Sequence, residues 1–413
     1  MKGLLVHIVS GIYELLWNIF LLLLKFYSHE SQIGKWYQDH NKSKKKIAQN
    51  ETRPLFFFAC SSVGEYKRIE TIAKHYSELG FGIEISFFSP SGYNFLNGLE
   101  NKWDKISFLP FDRKKDVQTF FQSTNPHYVF ISSNMIWPNF IRELDRNKIA
   151  YSIVGCSYYR NGYFNGLFLS FKLLLIKRVE YAFCIDQNTH NLLSQYLAPD
   201  QIIVTGDPRL DSIFQSSNTK INQSLLTQFK NDKKLLIIGS AYTEEVKIII
   251  ESYNTLLNAG YRVVIAPHEL GQTQNIISLL ESSSIEYDLY SKGECHREIL
   301  VLDKMGILRD AYAMAEIAFI GGGWKKGIHN IVEAMVHGCT IVSGPKFMKF
   351  PEARYLKRSD LLHVISNKYN MKTALENERS LPFQSKKQRS YKEWIEENNQ
   401  ANEIILSTLN EVI

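Results

Sequence analysis

The chain has 413 residues, which at roughly 150 residues per domain allows two to three domains with a substantial core. Hydrophobic residues make up 45%, charged residues 22%, and the net charge is +6, which excludes a disordered or collagen-like chain and does not call for nucleic acid. Five scattered cysteines (Cys60, Cys156, Cys184, Cys295, Cys339) form no CxxC pair, which argues against a disulfide framework or zinc ribbon and for a reducing compartment.

The first fifty residues stand apart. From Leu4 to Phe26 the chain is strongly apolar, with His7, Ser10, Glu14, Asn18 and Lys25 as the polar interruptions. About twenty such residues can span a bilayer. Glu14 and Asn18, however, share a helical face with His7, so the pattern predicts an amphipathic helix that lies in the membrane plane at least as readily as it spans. No small-x-small cleavage site follows Leu24, which disfavours a signal peptide. The basic run Lys42-Ser43-Lys44-Lys45-Lys46 would be drawn to anionic headgroups on the cytoplasmic side. The plain alternative is a buried amphipathic helix followed by a solvated basic loop. Residues 1–50 are expected to be a membrane-anchor helix and basic linker.

From residue 54 onward, apolar runs alternate with helical stretches. Strands are predicted at Leu55–Cys60, Ile83–Phe88, Ile106–Pro110, Tyr128–Ser132, Tyr151–Gly155, Tyr181–Ile185 and Ile202–Thr205, with helices such as Tyr66–Leu79 and Lys115–Gln122 between them. Continuous apolar strands separated by helices indicate a parallel sheet covered on both faces. After a polar segment, the pattern restarts at Leu235–Gly239, Val263–Pro267, Ile299–Leu302, Ile317–Ile320, Thr340–Ser343 and Leu362–Ile365. The expected fold class is α/β, with two successive doubly wound, Rossmann-like domains facing a cleft. Their expected bounds are 51–206 and 233–385, joined by a linker at 207–232 and followed by a C-terminal helical stretch, 386–413, packing back across them.

Ligands in such sheets sit outside the carboxyl ends of the strands. The first such loop reads Cys60-Ser61-Ser62-Val63-Gly64-Glu65. Glu65 at a helix start is a candidate general base, or simply a residue that favours the helix N-terminus. The next loop, Ser89-Pro90-Ser91-Gly92-Tyr93, is an ordinary turn signal.

The most informative stretch runs from Ile320 through Gly321-Gly322-Gly323-Trp324-Lys325-Lys326-Gly327 to Ile328-His329-Asn330-Ile331-Val332-Glu333-Ala334. Three glycines end a strand, a lysine pair follows, and Gly327 leads into a predicted helix carrying His329, Asn330 and Glu333. The arrangement suits a phosphate at a helix N-terminus, with Lys325 or Lys326 beside it and Glu333 accepting from ribose hydroxyls. It equally suits tight strand–helix packing. The dinucleotide G-x-G-x-x-G spacing is absent after the first strand.

Taken together, Ser61–Glu65, Gly206-Asp207-Pro208-Arg209-Leu210-Asp211, Ala266-Pro267-His268-Glu269 and Gly321–Glu333 resemble the 3-deoxy-D-manno-octulosonic acid (Kdo) transferases. Phe87–Tyr93 and Gly327–Ile331 look most like the Bacteroidetes versions. The resemblance implies a two-domain GT-B glycosyltransferase that is inverting, metal-independent and free of cofactors. It would move Kdo from CMP-Kdo to a lipid A precursor, lipid IVA, on the cytoplasmic face of the inner membrane. The resemblance makes the first domain acceptor-binding and the second nucleotide-sugar-binding. It casts Glu65 as the base. Ser61, Ser62, Arg160 and Arg209 would meet the acceptor or a carboxylate. Ser240, Pro267, His268, Gly322, Gly323, Lys326, Gly327, His329, Asn330 and Glu333 would hold the nucleotide.

One position departs from the family pattern. A second family glutamate precedes the Trp-Pro-Asn block, and Met135 stands there in this chain. Methionine neither takes a proton nor binds a cation as that carboxylate would. A GT-B transferase for another nucleotide sugar, or a silent relative that binds lipid A precursor, are the alternatives.

Overall fold

A computed structural model describes residues 2–24, 34, 36–38, 40, 53–97, 102–132, 135–158, 163–217, 224–365 and 368–410. The basic run 42–46 and Arg160 lie outside the described residues. The chain divides into two compact units, Met1–Ser212 with Gln400–Ile413, and Ile213–Asn399.

The first unit opens with α1 (Lys2–Leu24) and continues β1 (Leu55–Cys60), α2 (Val63–Glu78), β2 (Gly82–Phe87), α3 (Pro90–Asn97) and β3 (Lys105–Phe108). It then runs α4 (Lys114–Thr124), β4 (Tyr128–Ser132), α5 (Pro138–Asn147), β5 (Ala150–Cys156), α6 (Tyr163–Leu175), β6 (Ala182–Cys184), α7 (Gln187–Leu193), β7 (Ile202–Val204) and the start of α8 (Pro208–Ser217). The seven strands are all parallel, in the order β3-β2-β1-β4-β5-β6-β7. β1 is apolar at every position because both of its faces are covered. Phe57 and Ala59 join the core under α4 and α5, while Phe56, Phe58 and Cys60 join the core under α2. The last helix, α17 (Ala401–Leu409), returns to close this second core with Ile405 and Leu409.

The second unit contains α9 (Ser224–Lys230), β8 (Lys234–Ala241), α10 (Thr243–Asn258), β9 (Tyr261–Pro267), α11 (Thr273–Ser282), β10 (Asp288–Leu289) and β11 (Ile299–Val301). After these come α12 (Leu308–Tyr312), β12 (Ile317–Ile320), α13 (Val332–Val336), β13 (Thr340–Ser343), α14 (Pro351–Arg358), β14 (Leu362–Val364), α15 (Lys368–Glu378) and α16 (Leu381–Asn398). Its sheet is likewise seven-stranded and parallel, in the order β10-β11-β9-β8-β12-β13-β14.

Several local expectations change. The polar stretch expected as a linker holds α8 and α9. The Ser89–Tyr93 turn signal is the start of α3, whose first turn carries Pro90. The edge strand β10 escapes hydropathy reading because it has only two residues. The C-terminal stretch is two helices with a break at Asn399–Gln400.

Helix α1 is docked by its polar side. Tyr13 Oη donates to the buried Asp112 at 2.8 Å, and Glu14 accepts from Asn139 Nδ2 at 2.9 Å and from the Lys114 N–H. Arg142 donates to Ser10, and Leu21 and Leu24 pack on Phe111. The outward side presents Ile12, Leu15, Leu16, Ile19, Phe20, Leu22 and Leu23. Asn18, expected on the same face as Glu14, is exposed instead. Among the described residues, no helix is long and apolar enough to cross a membrane.

Candidate functional site

In the first unit the site begins where β1 ends. Ser62 is the N-cap of α2, its Oγ accepting from the Glu65 N–H at 3.4 Å, while the Glu65 carboxylate turns back to accept the Ser61 N–H through Oε2. Ser132 Oγ, at the end of β4, donates to the Glu65 carbonyl at 2.9 Å and fixes the turn to the sheet. The Ser61 side chain bonds the same carboxylate, so one residue of the turn orients it twice. Burial pushes the Glu65 carboxyl above the ordinary value, and the bonds from Ser61 and the charge of Arg68 offset it only partly.

One turn further along α2, Arg68 makes a two-pronged pair with Asp207, Nε to Oδ1 and Nη2 to Oδ2, both at 3.2 Å. Arg209 closes on the same carboxylate, with Nη2 at 2.6 Å from Oδ2. Burial alone would raise the Asp207 carboxyl, but the two guanidinium groups outweigh it and hold it far below the usual carboxylate range. Gly155 makes room for this cluster, because a Cβ there would stand 2.6 Å from Arg68 Cδ. Two arginines and one carboxylate leave a net positive charge beside Glu65. Met135 is buried in the apolar core with Phe140 and Ile141, so the departure from the family pattern sits in packing.

In the second unit the candidate residues gather at the carboxyl ends of β8, β9 and β12. Ser240 is the last residue but one of β8 and has a left-handed φ of 54°, Pro267 ends β9 with His268 directly after it, and the glycine-rich stretch follows β12. Gly323 permits a close crossing, since a Cβ would lie 2.5 Å from Gly344 Cα. Gly322 takes φ 88° and donates its N–H to Glu245 Oε1 at 2.8 Å. Glu245 also accepts the Tyr242 N–H at 3.1 Å, so this buried carboxylate joins the β8 loop to the glycine-rich loop. The rings of Tyr242, His268 and His329 stack, with centroids 4.9 Å apart for the first pair and 4.3 Å for the second. Burial, with His268 alongside, lowers His329 to about 4. Lys325 pairs with Glu244 at 2.6 Å, and Lys326 is exposed.

The expected helix after Gly327 is a correction. His329 and Asn330 lie in irregular chain, and the helix that carries Glu333, α13, has only five residues. The chain first crosses toward the β13 loop, where the Ile328 N–H donates to the Lys346 carbonyl, and turns helical only after that. Asn330 then starts the helix by accepting the Val332 N–H and donating to Glu333 Oε1 at 2.9 Å. A phosphate held by that helix N-terminus is therefore not supported. Among the described residues no cluster of carboxylate, cysteine and histidine side chains could hold a metal ion.

Sequence reading missed Arg68, Tyr242 and Glu245, and assigned no role to Asp207. For Glu245 a signal existed: it is the third residue of the helix after the first strand of its sheet, as Glu65 is.

The two parallel-sheet α/β units place the chain among GT-B-like folds. A solved glycosyltransferase from Rickettsia africae superposes with a TM-score of 0.57 at 12% identity, over 87% of this chain and 98% of that one. More particularly, the chain resembles the 3-deoxy-D-manno-octulosonic acid transferases: the family described as 3-deoxy-D-manno-octulosonic-acid transferase (kdotransferase) matches residues 35–212. A Chlamydia trachomatis 3-deoxy-D-manno-octulosonic acid transferase is 23% identical over 342 residues, 78% of this chain and 77% of the relative. A bifunctional glycosyltransferase/methyltransferase of Fusobacterium nucleatum is 27% identical over 300 residues, 69% of this chain but 46% of the relative, so this chain spans under half of that protein.

Proposed function

We propose that this chain is a membrane-associated Kdo transferase, taking Kdo from CMP-Kdo to a hydroxyl of a lipid A precursor. The observation that carries the reading is Glu65. It stands at the carboxyl end of the first strand, inside the family-matched segment, with its carboxylate oriented by Ser61 and its proton affinity raised by burial. A carboxylate so placed accepts the proton of the attacking hydroxyl. The hydroxyl oxygen forms a bond to the anomeric carbon of Kdo from the face opposite the nucleotide. The bond from that carbon to the phosphate oxygen breaks, CMP leaves with its electron pair, and the configuration inverts.

In this reading Ser61 and Ser62 hold the acceptor. Arg209 and Arg68 supply positive charge to a carboxylate or phosphate. The second unit takes the donor: the Gly322–Gly327 backbone and Lys326 meet the phosphate, Glu333 the ribose, and Ser240, Pro267, His268, His329 and Asn330 frame the nucleotide. Helix α1, with the basic run after it, attaches the protein to the cytoplasmic face of the inner membrane, where such an acceptor resides.

The test is incubation with CMP-Kdo and lipid IVA in detergent micelles, with the product identified by mass. A product heavier by one or more Kdo residues is expected. If no product forms, and UDP or GDP stabilises the protein in a thermal-shift assay where CMP does not, the donor is a different nucleotide sugar. Nucleotide binding without turnover of any donor would identify a silent relative.

A further inference from the structure

The surface that carries the inference lies along the carboxyl-end rim of the first sheet. Helix α1 is fastened there to one strand-end segment after another. Asp112 and Lys114 follow β3, Asn139 and Arg142 follow β4, and Phe168 of α6, which follows β5, lies with its ring 6.5 Å from Tyr13. Glu65 follows β1 at the same rim. The hydrogen bonds of Tyr13 and Glu14 permit one rotation of α1, and that rotation turns its leucines outward.

Among the described residues sixteen large hydrophobic side chains are exposed; seven are on α1 and two, Leu167 at 53% and Phe168 at 42%, are on the neighbouring α6. The described chain has no comparable concentration elsewhere. Charge identifies the occupant. Neither helix carries a carboxylate other than Glu14, which is turned inward to Asn139. The charges beside this strip are mostly cations: Lys172 lies over the Phe168 ring at 5.0 Å, and Lys114 and Lys115 are exposed beside α1, while Asp116 is half-buried and paired with Arg113 at 2.7 Å. An apolar strip edged with cations suits a bilayer containing anionic lipid. A second copy of the chain would bring like charges together.

We propose that α6 is a second lipid-contacting helix, and that α1 and α6 together form one face that lays the first unit on an anionic bilayer with its carboxyl-end rim at the lipid surface. The inference rests on the membrane reading above and deepens it. Attachment then depends on a surface built into the domain and is not confined to an N-terminal tether. The loop carrying Glu65 is held at the depth where a lipid-linked hydroxyl emerges.

The test uses the full chain and co-flotation with vesicles of phosphatidylcholine, with and without phosphatidylglycerol. Leu167→Ser with Phe168→Ser should lower partition onto the phosphatidylglycerol vesicles about tenfold or more. The melt, and turnover of a water-soluble acceptor, should be unchanged. Leu15→Ser with Leu16→Ser on α1 should lower partition to a similar extent. Should the serine pair on α6 disturb folding, a polarity-sensitive fluorophore on Leu167→Cys gives a second readout. Its emission should shift to the blue on phosphatidylglycerol vesicles.

Undiminished flotation of the folded α6 variant, or an unshifted fluorophore, would overturn the proposal while leaving attachment through α1 and the transferase reading intact. A lipid-free dimer that the α6 variant dissolves without loss of flotation would also overturn it, assigning the face to self-association. If the unaltered full chain does not float with the phosphatidylglycerol vesicles, the membrane reading itself fails.

Discussion

Glu65 and Glu245 occupy one structural position, the third residue of the helix that follows the first strand of each sheet. Their surroundings separate their roles. Glu245 is buried and spends its oxygens on the N–H groups of Tyr242 and Gly322. Glu65 is only partly covered and is held through Ser61 alone in the turn before it. Glu65→Gln should therefore cut turnover by a factor on the order of 10² to 10⁴ with the melt unchanged, since glutamine keeps the Ser61 bond but takes no proton. Burial raises the Glu65 carboxyl, so the acid limb of kcat against pH should fall at a pH above the 4.5 of an ordinary glutamate. A limb at or below 4.5 would assign the base elsewhere. Glu245→Gln replaces an acceptor oxygen with a donor facing an N–H. Calorimetry should show CMP affinity weakened by roughly 1–2 kcal/mol while turnover at saturating donor is largely kept.

At the scale of elements, the glycine-rich loop depends on contacts that no linear pattern announces. Gly323→Ala pushes a Cβ to 2.5 Å from Gly344 Cα, so the two loops must part. A loss of roughly 1–3 kcal/mol in stability is expected, together with weaker CMP binding. The strands were legible because residues such as Phe56 to Cys60 are apolar on both faces. Arg68 and Asp207 were not, because they are 139 residues apart and meet only once β1 and β7 share a sheet. The docked face of α1 was half legible. Hydropathy finds an amphipathic helix, but only Asp112 and Asn139 reveal that its polar side is the protein side. His329 gives a pH signature at this scale. Its folded value of about 4 lies below the ordinary 6.5, so between those limits the unfolded chain binds a proton that the folded chain does not. The neutral ring's contribution to stability is present above 6.5 and is lost as pH falls toward 4. His329→Gln should flatten the fall in melting temperature over that window relative to the parent. Parallel curves would show that the ring titrates normally.

For the molecule as a whole, the reading divides labour between the units, and hydrogen exchange resolves that division without requiring the units to melt separately. A ligand that binds only the folded state stabilises what it touches by RT ln(1 + [L]/Kd), about 2.7 kcal/mol at a hundredfold excess over Kd. CMP at that excess should slow exchange in the second unit, first at the N–H groups of the β8 loop around Tyr242, the segment after β9 at His268, and Gly321–Glu333. Truncation of residues 1–24 should act on the other unit. It strips Tyr13 from Asp112 and Glu14 from Asn139, and leaves Phe111 without Leu21 and Leu24. Asp112 is already an expensive group: burial raises it to about 6 even with Tyr13, Asn139 and Phe140 donating to it. Losing one donor from a buried carboxylate costs roughly 1–3 kcal/mol. Exchange should therefore quicken between Phe111 and Arg142, with CMP affinity unchanged. Protection by CMP of the first unit's Ser61–Glu65 turn, with the glycine-rich loop unaffected, would exchange the two units' roles and sink the assignment of the donor to residues 213–399.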